Sequence, residues 1–186
     1  MGEFAQLTAY DIKMDDAGRA FIDLLHTGKD EQAKRRRLKL DLKNATSRRQ
    51  IPVPDNAHTR EFLSFVERRR KRNGDQALLF SDARTDDQGS WSNIPSKRLN
   101  RLIDKVNDDP RYVVHSMRHN FVQACRDAGI AESTISRWTG PALKELVDEF
   151  GRRSSGTTTT ARVYGSPELS PSQIDEIGLV RFEGSV

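Results

Sequence analysis

The sequence predicts an α+β domain, mainly helical, with a small antiparallel sheet or hairpin. Three observations carry that expectation. Apolar residues recur at helical spacing through residues 59–71, 96–106 and 114–128. Short stretches around 20–25, 38–43 and 49–53 read as strands, the middle one through strict alternation of Leu38, Leu40 and Leu42 with Lys39, Asp41 and Lys43. Turn residues, Asn44-Ala45-Thr46-Ser47 among them, join the last two into a hairpin with Lys43 near its tip.

The chain opens in helical spacing, with Phe4 and Leu7 on one face and no cap before them, as a piece cut from a longer protein would. Asp15-Asp16-Ala17-Gly18 is a turn before the first strand, and residues 27–39 are charged loop. Pro52 and Pro54 close the return strand. The helix over 59–71 turns Phe62, Phe65 and Val66 inward, with the Arg68 to Arg72 block at its C-terminal end, where cations suit the helix dipole as well as a polyanion. Asn73-Gly74 stops it. Residues 77–80 form a short buried extended segment and 82–93 a polar loop. A helix over 96–106 buries Leu99, Leu102, Ile103 and Val106, and ends before Asp109-Pro110.

The following helix carries a core stripe of Met117, Phe121, Ala124, Cys125 and Ala128, ended by Gly129. A short helix over 131–138 packs through Ile135 and Trp138. Pro141 starts another, with Leu143, Leu146, Val147 and Phe150 on its apolar face. Residues 152–160, rich in Ser, Gly and Thr, are expected to be a mobile loop leading to Tyr164-Gly165. The tail holds a short helix around Ile174 and Ile177 and is too polar to fold by itself.

With 35% hydrophobic and 31% charged residues, the 186-residue chain can hold one compact core but has no apolar run that spans a bilayer. No signal-peptide pattern opens it, and its single cysteine, Cys125, excludes an internal disulfide and fits a reducing cytoplasm. On an apolar helix face that thiol reads as packing, not as a nucleophile. The net charge is +4, with Lys and Arg crowded into residues 34–49 and 68–72, and acids in the tail. Such patches suit nucleic acid, although solvated helix faces carry arginine blocks too.

His115 and Arg118 lie three residues apart, so they share one helix surface, with His119 a turn beyond His115. A guanidinium can grip two phosphate oxygens while an imidazole exchanges a proton near neutral pH. An isolated H-x-x-R is equally an ordinary polar helix start. The His115–His119 spacing also suits a metal pair, but no acidic residue stands between them and no third ligand is evident, so no metal is expected.

Four segments, in order, resemble the catalytic domain of the tyrosine recombinases, the phage-integrase family. Gly2-Glu3 through Leu7, with Asp11-Ile12, is similar to the family's R-x-G-E-x-x-x-L and D-I opening. Lys43-Asn44-Ala45-Thr46-Ser47-Arg48-Arg49-Gln50-Ile51-Pro52 resembles its K-T-x-x-S-R-R-x-V-P hairpin, and His115 through Phe121 its H-x-x-R-H-x-F box. Tyr164 falls where the family keeps its nucleophile.

The resemblance implies a catalytic domain over 1–165 and a tail over 166–186 that docks on a neighbouring protomer. It implies site-specific recombination or integration of a phage or other mobile element, within the bacterial cytoplasm at the nucleoid. The substrate is double-stranded DNA, the assembly a homotetramer on DNA, and neither a cofactor, a membrane nor a small-molecule substrate is involved. Tyr164 forms a 3′-phosphotyrosyl link, His115 helps it as base, Lys43 protonates the leaving oxygen, and Arg118 holds the nonbridging oxygens. Arg48, Arg49, Arg69, Arg70 and Arg72 are expected to meet DNA.

Two departures stand out. The family's first arginine belongs three residues before Glu3, upstream of Met1, and Pro141 occupies the position after Gly140 where the family has His or Trp. Loss of one transition-state donor costs about 2.7–4 kcal/mol, so this chain is expected to be feeble or inactive alone. The alternatives are a decayed integrase that only binds DNA and a relaxing activity resembling type IB topoisomerases.

Overall fold

A computed structural model describes residues 2–25, 48–107, 109–140 and 168–180. The strand expected over 38–43, the helix from Pro141 and the loop over 152–160 lie outside the described residues, as do Lys43, Pro141 and Tyr164. The described elements are helices with a small antiparallel sheet, an α+β arrangement. They fall into two compact units, Met1–Lys13 with Asp55–Phe121, and Met14–Pro54 with Val122–Val186.

The first unit holds α1 (Gly2–Ala5), a 3-10 turn (Ala9–Asp11), α2 (Ala57–Asn73), α3 (Asn93–Ile103) and the start of α4 (Val114–Asp127). Helix α2 begins earlier than the apolar pattern alone indicates because Asn56 caps it. The Asn56 side chain accepts the Thr59 N–H at 3.0 Å, and the Thr59 hydroxyl oxygen accepts the Asn56 N–H at 3.1 Å. Gly74, at φ +81, ends it. Helix α3 is likewise offset toward the N-terminus from the expected 96–106, since Pro95 is tolerated inside a first turn.

The core of this unit gathers Leu7, Val66 and Leu79, each at most 2% exposed. Leu79 donates its N–H to the Leu7 carbonyl at 2.8 Å, and Phe4 and Phe65 pack on Phe80 with ring centroids 4.6 and 6.1 Å away. Buried Asp11 accepts the Thr8 N–H at 2.8 Å and the Thr8 hydroxyl at 3.1 Å, which satisfies the carboxylate locally.

Three residues expected inside are outside: Leu102 is 56%, Val106 89% and Met117 56% exposed. Helix α3 buries none of its residues fully, leaving Leu99 and Ile103 half-buried and Leu102 exposed, and it ends before Val106, so that residue leaves the helical stripe. Met117 lies in the exposed first turns of α4, whose fully buried positions are Val122 and Cys125.

β1 (Ile12–Met14) ends on the first residue of the second unit, where β2 (Ala20–Asp23) pairs antiparallel with β3 (Gln50–Pro52), with Ile22 opposite Ile51. Helix α5 (Glu132–Thr139) packs on β3 and buries Ile135 and Trp138, as expected. The end of α4 closes with Ile130 donating its N–H to the Cys125 carbonyl at 3.0 Å around Gly129, at φ +74.

The described tail forms α6 (Pro171–Asp175) and a 3-10 turn (Glu176–Leu179), with Ser170 as cap and Pro171 first in the helix. Ile174, Ile177 and Val180 are buried. Leu169 donates its N–H to the Gln50 side-chain oxygen at 2.8 Å, and Arg19 reaches the Asp175 carboxylate at 2.9 Å. These described tail residues therefore pack on this chain's own second unit.

Candidate functional site

The two site residues described on α4 stand one turn apart. His115 is exposed and Arg118 half-buried, and His119 is exposed with its ring edge-on to His115 at a centroid distance of 4.9 Å. The start of the helix is fixed from α3, where the Asn100 side-chain oxygen accepts the Val114 N–H at 2.8 Å. Ser116 fixes it from the other side, accepting the Val113 N–H at 3.2 Å and donating its hydroxyl to the Arg111 carbonyl at 2.8 Å. The turn before it is held by Asp109, whose carboxyl the Arg111 guanidinium keeps below its ordinary range. Imidazole and guanidinium thus leave one rigid helix start, where helix amides and dipole favour an anion.

Arginines adjacent in sequence part company in space. Arg48 is exposed, whereas Arg49 is 9% exposed and donates its Nε–H to the Trp138 carbonyl at 3.0 Å, at the C-terminal end of α5. Gly140 ends that helix at φ +78, and a Cβ there would stand 3.1 Å from an Arg49 terminal nitrogen. Glycine lets the guanidinium lie against the backbone, and a cation at a helix C-terminus meets its exposed carbonyls.

The block on α2 divides in the same way. Arg69 donates to the Leu78 carbonyl at 2.7 Å and to the Asn73 side chain at 3.0 Å. Arg70 joins Asp75 at 2.7 Å and Glu67, and donates to the Ala9 carbonyl at 2.7 Å. Both guanidiniums donate to protein acceptors, Arg69 through its terminal nitrogens only. Arg68, Lys71 and Arg72 are exposed and form the open cationic face.

A further set of cations was missed in the sequence. Lys97, Arg101 and Lys105, all exposed, follow one another at four-residue intervals along and just beyond α3. That spacing is present in the sequence, but it is interrupted by other residues and so carries less local charge density than the contiguous arginine runs. Among the described residues no group of three or more His, Cys, Asp or Glu side chains could hold a metal. No described helix is long and apolar enough to cross a membrane.

No protein-family model matches this chain, and no curated protein or solved structure matches it either.

Proposed function

We propose that this chain is the catalytic domain of a DNA breaking-and-rejoining enzyme of the tyrosine recombinase kind, with that family's fold. The observation that carries the reading is the start of α4, where exposed His115 and half-buried Arg118 stand one turn apart. The hairpin motif with Lys43 and the late Tyr164 flank it in the chain.

In the proposed reaction the Tyr164 oxygen attacks a DNA phosphorus and gives its proton to His115. The bond from phosphorus to the 5′-oxygen breaks, and that oxygen takes a proton from Lys43. A phenol with an ordinary pKa near 10 needs a base, and an alkoxide leaving group needs an acid. Arg118 offsets the charge that grows on the nonbridging oxygens. The 3′-phosphotyrosyl bond keeps the energy of the broken bond, so the reverse steps rejoin the strand. Exposed Arg48, Arg68, Lys71 and Arg72 hold the DNA backbone, and the working form is a tetramer on DNA.

A nicked suicide duplex tests this reading. Covalent DNA should accumulate on the chain only slowly, at the feeble level expected without the family's first arginine, and Tyr164→Phe should abolish that adduct while leaving affinity for DNA unchanged. An adduct that persists in that variant would move the nucleophile elsewhere. The second reading, a binding module without chemistry, is favoured by Pro141 at the family's His or Trp position. Tight, salt-sensitive binding with no adduct at any protein concentration would select it.

A further inference from the structure

We propose that His115 and His119 form a chelating site for a divalent transition cation on the exposed face of α4. Both imidazoles are exposed, and among the described residues no hydrogen bond or ion pair engages either of them. Their ring centroids stand 4.9 Å apart, edge to face. Histidines at i and i+4 lie one above the other on a helix face, the spacing at which two imidazoles share one metal. Bonds of about 2.0–2.1 Å put two ligand nitrogens roughly 3 Å apart on a common ion. With the centroids at 4.9 Å, rotation of the rings about their broad terminal torsions suffices to reach that separation.

Neither gap noted in the sequence opposes such a site. In H-E-x-x-H the Glu is a base for the chemistry and not a ligand, so its lack leaves binding untouched. Two imidazoles suffice for a chelate when water fills the other positions, and the helix supplies the preorganisation. The Val114 N–H is held by Asn100 at 2.8 Å and the Ser116 hydroxyl by the Arg111 carbonyl at 2.8 Å, so binding has only side-chain torsions left to fix. Arg118 stands about 100° round the helix from His119, on the other flank of His115, so its guanidinium springs from outside the pair. Imidazole ligands suit nickel, copper and zinc, whereas magnesium and calcium take oxygen. In the proposed reaction His115 accepts a proton on the lone pair that a metal would use, so cation and substrate proton compete for one imidazole. Binding itself does not depend on that reaction.

Calorimetric titration of the full-length chain with cobalt, nickel and copper(II) ions tests the site, with magnesium as the ion it should ignore. Affinity should rise from cobalt through nickel to copper. His119→Gln and His115→Gln should each weaken nickel binding by about a hundredfold, the lower end of the gain from joining two sites on one frame. His58→Gln, at an exposed position on α2, should change nothing. His119→Asn combined with Asn120→His keeps the number of histidines but moves the second one off the shared face, and should bind as weakly as the single variants. Nickel should raise the melting temperature of the unsubstituted chain and of His58→Gln only. The substituted positions are exposed, so melting without metal should agree among all the chains and show each one folded. Nickel affinity unchanged in either single variant would overturn the inference, as would tight binding by the exchanged pair or its loss in His58→Gln.

Discussion

Arg49 donates its Nε–H to the carbonyl of Trp138 at 3.0 Å, so a residue just before β3 closes the C-terminal end of α5. The neighbouring Arg48 is exposed. The same dipeptide thus serves the interior with one side chain and the surface with the other, because successive residues of extended chain point to opposite faces.

Arg49→Ala should lower unfolding stability by about 1.5–3 kcal/mol, the range for a hydrogen bond made by a charged group. Arg48→Ala should stay within about 0.5 kcal/mol of the unsubstituted chain. Chemical denaturation of the two variants checks the contrast, and equal losses would refute it.

The division on α2 predicts a crossed result. Arg70→Ala removes donors to the Ala9 carbonyl and to Asp75, and should cost about 1–3 kcal/mol of stability. Arg72→Ala should leave stability alone, weaken DNA binding, and reduce the slope of log affinity against log salt by about 1. Thermal melts and a salt titration of DNA binding measure both effects.

Burial pushes the Cys125 thiol up to about 11. The folded chain therefore holds the proton more tightly than the unfolded chain, whose thiol has its ordinary value of 9.0. The stabilisation is fully present below pH 9 and declines as the pH rises from there toward 11. A thiol reagent at pH 8 should label Cys125 only as fast as the protein opens, and rapid labelling of the folded chain would contradict this burial.

Leu79→Ala, at a position 1% exposed, should destabilise by about 2–5 kcal/mol. Met117→Ser, at a position 56% exposed, should change stability by no more than about 0.5 kcal/mol. Paired denaturation curves decide whether Met117 belongs to the surface.

Much of the local structure was legible in the residues. Helical spacing located α2, α3, α4 and α5, and burial of Ile135, Trp138 and Cys125 followed from it. The early start of α2 depends on the cap at Asn56, which hydrophobic period alone does not register. The sorting of the arginines was not legible, for a different reason. Arg70 is committed by the Ala9 carbonyl and Arg49 by the Trp138 carbonyl, partners far away in the chain that leave no trace in local composition. The polar character of the tail concealed its packing too, since three aliphatic residues spaced through 174–180 suffice when Gln50 and Arg19 supply the polar contacts. For the candidate site, sequence spacing alone placed His115 beside Arg118, because both belong to one helix.

Ile174, Ile177 and Val180 have a practical bearing on how the protein is handled. A shortened version ending at Gly165 would strip them from the second unit and uncover the apolar surface they protect, inviting aggregation during expression. Affinity tags and fluorescent labels are better attached after Val180, where they leave that packing in place.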